Sequence, residues 1–110
     1  MSSDMFVKEV PITFMGKEHM LRYDLNAFIA LEDKGYDFDA IVKMATQISF
    51  KSLGILLWAG IQHNDKKTTV DEINKSLTFL SMTDLFPIVG NAILDATPKE
   101  TDEIETTKKK

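Results

Sequence analysis

Residues 49–62 read SFKSLGILLWAGIQ, and how this stretch is covered decides the fold. Leu53, Leu56, Leu57, Gly60 and Ile61 recur at the spacing of one face of an α-helix. The opposite face, with Ile55, Trp58 and Ala59, is no more polar. Ser49 stands where an N-cap belongs, and the polar residues His63, Asn64 and Asp65 mark the end. A helix apolar nearly all round must be covered on every side, by its own domain or by a partner.

Working outward, Val10, Ile12 and Phe14 alternate with Pro11 and Thr13, and His19, Leu21 and Tyr23 alternate with Met20 and Arg22, both in strand rhythm. Gly16 at the first central position of a two-residue type II′ turn closes a hairpin that sets Phe14 opposite His19, Ile12 opposite Leu21 and Val10 opposite Tyr23. Both apolar sets then share a face. A lone hairpin is marginal in water, so this face needs helices or a further strand, for which Met5, Phe6 and Val7 are the candidates.

Asp24 or Asn26 caps a short helix that runs to Lys34 and stops at Gly35. Asp37 caps a second, whose Phe38, Ile41, Val42 and Ala45 share a face. Downstream of the apolar helix, Thr69 and Glu72 form a capping box for a helix presenting Ile73, Leu77 and Leu80. Thr83 starts a last helix with Pro87 near its first turn and a stripe of Leu85, Ile88, Val89, Ala92, Ile93 and Ala96. The expected architecture is α+β, mostly α: an N-terminal β-hairpin followed by about five short helices in one domain over residues 1–96. Residues 97–110, PKETDEIETTKKK after Thr97, hold Ile104 as their single large apolar residue and are expected to be a disordered polar tail.

The 110-residue chain is 44% hydrophobic, enough for a real core. Its net charge of −4 falls wholly on the part before the tail, which argues against a phosphate-binding surface and so against nucleic acid as a ligand. No cysteine is present, which excludes disulfides, thiolate zinc sites and cysteine nucleophiles. The start, MSSDMFVKEV, lacks the basic and apolar regions of a signal peptide, and the apolar runs are too short to span a membrane, so a soluble intracellular domain is expected.

No chemistry-bearing pattern stands out. Asp24, Glu32, Asp33, Asp37 and Asp39 gather around the first two helices, but they lack ligand spacing and read as caps and solvated charges. His19 reads as a hairpin residue facing Phe14, and His63 as a helix C-terminal residue. There is neither a nucleophile elbow nor a glycine-rich phosphate loop. No catalytic, metal or cofactor site is expected. The methionines on or beside the hairpin, Met15 and Met20 among them, are candidates for an adaptable partner surface.

Taken in order, the hairpin, YDLNAFIALEDKGYDFDAI and SLGILLWAGIQHNDKKTTVDEINKSL resemble the tail assembly chaperones of long-tailed bacteriophages and related gene transfer agents. The shared pattern runs from about Ile12 to Leu80: an F-x-G-K-E-x-x-L-R-Y-D-L-N-A hairpin entering a helix that ends E-D-K-G, a helix ending L-L-W-A-G, a polar loop, and a T-x-x-E-[IV] helix. The resemblance implies a non-enzymatic protein of the host bacterial cytoplasm. It would bind the helical tape measure protein, keep it soluble during tail tube assembly, contact the major tail protein, and be absent from the mature virion. It also implies a second, longer form made by a ribosomal frameshift near the end of the short one, where this chain has Lys108, Lys109 and Lys110.

A chaperone of an amphipathic helix needs apolar surface that it can offer reversibly. The candidates are Met15 and Met20 on the hairpin rim, Ile55 and Trp58 on the outer face of the apolar helix, and Leu85, Ile88, Val89 and Ile93 on the last one. The competing reading of the helical residues is core, since a domain of this size has few others to bury. The apolar excess also implies weak homo-oligomerisation. The alternative function is a small acidic regulatory or adaptor protein, such as a nucleic-acid mimic or anti-repressor.

Overall fold

A computed structural model describes residues 8–97. Within them lie two strands, β1 (Glu9–Phe14) and β2 (Lys17–Arg22), and five helices: α1 (Leu25–Asp33), α2 (Phe38–Thr46), α3 (Phe50–Gly60), α4 (Val70–Ser76) and α5 (Phe79–Ala96). This is the α+β, mostly α architecture that the pattern implies. The suggested strand at Met5 to Val7 and the tail beyond Thr97 lie outside the described residues.

Local chemistry sets the helix starts. Asp24 Oδ1 accepts the Ala27 N–H at 3.0 Å, Asp37 Oδ1 that of Ala40 at 2.9 Å, and Ser49 Oγ that of Ser52 at 3.0 Å. Thr69 and Glu72 close their capping box, with Thr69 N–H donating to Glu72 Oε1 at 2.9 Å. Gly35 stops α1 at φ 103°.

Three details depart from the sequence reading. The hairpin turn is Met15-Gly16, both with positive φ (57° and 74°), the type I′ pattern rather than II′. Phe14 therefore pairs with Lys17, Ile12 with His19 and Val10 with Leu21. The register is two residues away from the one anticipated; because side chains alternate with period two, the same residues still face inward. Second, α4 ends at Ser76 and α5 begins at Phe79, not near Thr83. Thr78 and Ser81 form a further capping box, Ser81 N–H donating to Thr78 Oγ1 at 3.1 Å. Leu80 consequently sits in the first turn of α5, 75% exposed, instead of closing the stripe of α4. Third, α5 is not short: its 18 residues hold Pro87 in the interior, where it removes the N–H that would bond the Thr83 carbonyl. Thr83 and Pro87 are both on the exposed side, where water can take that place.

With a mean hydropathy of 1.2, α5 also reaches the length and composition of a marginal membrane span, contrary to the expectation of short apolar runs only. It carries Asp84 and Asp95, and it buries Leu85, Val89 and Ile93 in the domain.

The core forms around α3, which packs against α1, α4, α5 and β2, while α2 lies along α5. Seven of the eleven α3 residues are buried, including Leu53, Leu56 and Leu57 at 0% exposure. Its own domain thus supplies most of the cover. Burying each such leucine is worth about 1.5–3 kcal/mol. Where β2 runs out, the Tyr23 hydroxyl donates to the Leu56 carbonyl at 2.7 Å in the interior. Burial pushes the Tyr23 phenol far above its ordinary value, so it remains a neutral donor. Gly60 permits this approach, since a Cβ there would lie 2.6 Å from Leu21 Cδ2 and 2.9 Å from the Tyr23 ring.

In urea unfolding, Tyr23→Phe should cost about 1–2 kcal/mol through the lost internal hydrogen bond. Gly60→Ala should cost about 1–3 kcal/mol by forcing α3 from the hairpin.

Candidate functional site

The residues singled out for a partner divide by burial. Ile55, Leu85, Val89 and Ile93 are core, at 7%, 4%, 0% and 0% exposure, so no partner reaches them while the domain is closed. Ile55 belongs to the buried core cluster on α3, and the other three form the inward stripe of α5. Trp58 is half-buried, with the Lys34 ammonium 4.4 Å from its ring centroid in a cation–π contact. Ile88 and Met15 are half-buried at the edge of the core, and Met20 is half-buried on the hairpin, alternating with the buried His19 and Leu21. Met20 is further held by its carbonyl, which accepts a hydrogen bond from His63 Nε2 at 2.7 Å. The structure does not join these eight residues into one surface.

It builds another surface instead. The chain turns by 116° between α2 and α3, and Phe50 opens α3 on the outside of that corner, 59% exposed. Phe79 opens α5 beside it, 70% exposed, with the two rings edge to face at 5.7 Å. Phe86, one further stretch along α5, tilts against Phe50 at 6.2 Å. Leu80, the next residue of α5, is 75% exposed, and Ile48, Phe50 and Phe86 line a hollow beside the rings.

Past Ile48 and Phe86 this face runs into an open groove of about 520 Å³ between α2 and α5, reaching Gly90 and Leu94. Its floor is set by the close approach of the helices: a Cβ on Gly90 would lie 2.8 Å from the Ala45 carbonyl oxygen. Both phenylalanines sit at the first helical position after a cap, where a side chain projects from the helix end. The Thr78–Ser81 box is the signal that marks Phe79 and Leu80 in the sequence. An exposed aromatic and aliphatic patch leading into a groove suits an apolar partner better than a small polar ligand.

The polar side chains make a different picture. Asp24 and Asp37 are caps, and Glu32, Asp33 and Asp39 are exposed around the α1–α2 turn. Among the described residues, no three His, Asp or Glu side chains converge to hold a metal ion. His19 is 6% exposed and stacks on Phe14 with ring centroids 4.3 Å apart, its Nε2 without a hydrogen-bond partner. Burial lowers its pKa from the ordinary 6.5, and the Lys17 charge adds to that; Asp65 and a backbone bond with Phe14 oppose it. For Asp65, burial acts upward but is outweighed by the Thr68 hydroxyl and the Thr68 and Lys67 N–H groups, with Lys17 adding to them, so its carboxyl titrates below the usual range. Those bonds, at 2.8, 3.1 and 3.2 Å, shape the loop between α3 and α4.

No family model matches the chain, and neither a curated protein nor a solved structure does.

Two outcomes follow from this geometry. Because folded His19 refuses a proton that the unfolded chain binds, its contribution is whole above pH 6.5 and is lost as pH falls below that value. Urea unfolding at about pH 7.5 and about pH 5.5 should therefore show lower stability in acid. His19→Phe, which keeps a ring on Phe14, should flatten that slope. For the aromatic face, the chain should associate weakly with itself by light scattering across a wide concentration range. Phe50→Asp with Phe79→Asp should reduce this while changing stability by less than about 1 kcal/mol.

Proposed function

We propose that this chain is a non-enzymatic tail assembly chaperone of a long-tailed bacteriophage or prophage, which binds the tape measure protein and keeps it soluble while the tail tube forms. The observation that carries the reading is the exposed Phe50–Phe79–Leu80 face and its groove, set on an acidic body. The motif order from Ile12 to Leu80 supplies the family.

On this reading an amphipathic segment of the client lays its apolar side along the groove between α2 and α5, with Phe50, Phe79 and Phe86 as anchors. The net charge of −4 keeps the free chaperone dispersed while that surface stands empty. The work is done in the host bacterial cytoplasm. The major tail protein is a second partner, and the chaperone leaves before the virion is complete.

A second reading, an acidic adaptor that mimics nucleic-acid charge, draws on Glu32, Asp33, Asp37 and Asp39, exposed together around the α1–α2 turn. It leaves the aromatic face unexplained.

Co-expression with the tape measure protein of the same gene cluster distinguishes the two. The chaperone should raise the soluble yield of that protein severalfold, and Phe50→Asp with Phe79→Asp should abolish the rise. An unchanged yield with the wild-type chain, together with competition against DNA for a DNA-binding protein, would favour the mimic.

A further inference from the structure

Among the described residues, the exposed large apolar side chains fall into two groups. Phe50, Phe79 and Leu80 stand at the starts of α3 and α5; Leu25, Ile29 and Phe38 lie on α1 and α2, at 72%, 42% and 43% exposure. The second group lines a groove of about 400 Å³ that Ala96 of α5 also walls. We propose that this groove receives a basic amphipathic helix of a partner protein, its apolar side against α1 and its cations on the carboxylates that line the groove.

The outer face of α1 carries the argument. The helix buries Ala27 and Leu31 in the core. Yet Leu25, Phe28, Ile29 and Glu32 also recur at helical spacing, and all four line the groove. The helix therefore has a second stripe, apolar over its first two turns and ending in a carboxylate. Asp24, which caps α1, is the other acid in the lining. The two acids stand about 12 Å apart along the axis. A facing helix matches them with Lys or Arg seven or eight residues apart and two large apolar residues between.

Charge selects that partner. From Asp24 to Asp39 the chain holds five acids and a single base, Lys34. Lys34 lies over the Trp58 ring, and Arg22 is drawn to Glu9 and Asp24. Among the described residues no ion pair engages Glu32, Asp33 or Asp39. The last turn of α1 contains Glu32 and Asp33 and no basic residue. A helix C-terminus is the negative end of the dipole, so acids there destabilise the free fold and an external cation relieves them. The same charges repel phosphate-bearing ligands and anionic membranes. The inference stands apart from the chaperone reading, whose client lies on the aromatic face. It also differs from mimicry of nucleic acid, because the apolar stripe contributes alongside the charge.

The test titrates the full-length protein with a helical peptide of about 14 residues, leucines on one face and lysines on the other, and with its glutamate counterpart. The lysine peptide should bind at least about tenfold more tightly than the glutamate one. Glu32→Lys with Asp33→Lys should weaken the lysine peptide at least about tenfold, while raising the urea midpoint of the free protein. Glu18→Lys with Asp84→Lys, the same change of charge elsewhere, should weaken it less than about threefold. Leu25→Ser with Ile29→Ser, both exposed sites, should also weaken it about tenfold, with circular dichroism checking the fold. Equal affinity for the two peptides, or binding of neither, would overturn the proposal. Equal losses in the two charge variants, or no loss in the serine variant, would overturn it in favour of charge attraction alone. Hydrogen exchange slowed at the starts of α3 and α5 instead of along α1 would move the peptide to the aromatic face and overturn it. Self-association of the free protein that the serine variant abolishes would overturn it in favour of a second copy.

Discussion

The structure depends on α3 burying most of its circumference, seven of its eleven residues. Leu53, Leu56 and Leu57 face one way, Ile55 and Ala59 another, and all are buried. The remaining elements are arranged to close around them: α1, α4 and α5 on the helical sides, β2 on another. The hairpin is admitted closely because Gly60 has no side chain, and Tyr23 then ties it to the Leu56 carbonyl. A domain of this size has little apolar material to spare. That α3 is enclosed by its own neighbours explains why surfaces able to meet a partner must be sought at helix ends and corners.

There the fold makes its exceptions. Phe50 and Phe79 each follow a capping residue, so the same hydrogen bonds that start α3 and α5 also fix two rings on the outside. A cap is a rigid local device worth about 1 kcal/mol. The aromatic face is therefore held by the helix starts rather than by packing beneath it, and altering it leaves the core alone. The core stripe of Leu85, Val89 and Ile93 occupies the other side of α5.

Features governed by neighbours in sequence were legible. The caps at Asp37, Ser49 and Thr69 follow from residue type and spacing, as does the choice of Asp24 or Asn26 for α1, where Asp24 is the cap; all four make the bond their position implies. The start of α5 was not. Ser81 replaces the usual Glu or Gln of a capping box, and Leu77 and Leu80 continue the period of Ile73, so the pattern reads as one continuous helix. The turn misled in a related way: Met15 takes a positive φ that residue preference assigns to glycine. The inward face survived that slip because strand alternation forgives a shift of two. The candidate surface was the least readable, because burial of Ile55, Leu85, Val89 and Ile93, and exposure of Phe50 and Phe79, depend on which helices meet, and no local pattern encodes that.

The rung of the hairpin where Pro11 faces Met20 bears on how this chain can associate. Proline brings no N–H to the edge of β1. On the opposite edge the Met20 carbonyl is already engaged by His63. One rung thus blunts both margins of the two-stranded ribbon, so neither offers a continuous template for another chain to zip onto. A protein that carries exposed phenylalanines is in this way protected from stacking into cross-β fibres through its sheet, and its contacts are directed to side chains on helices.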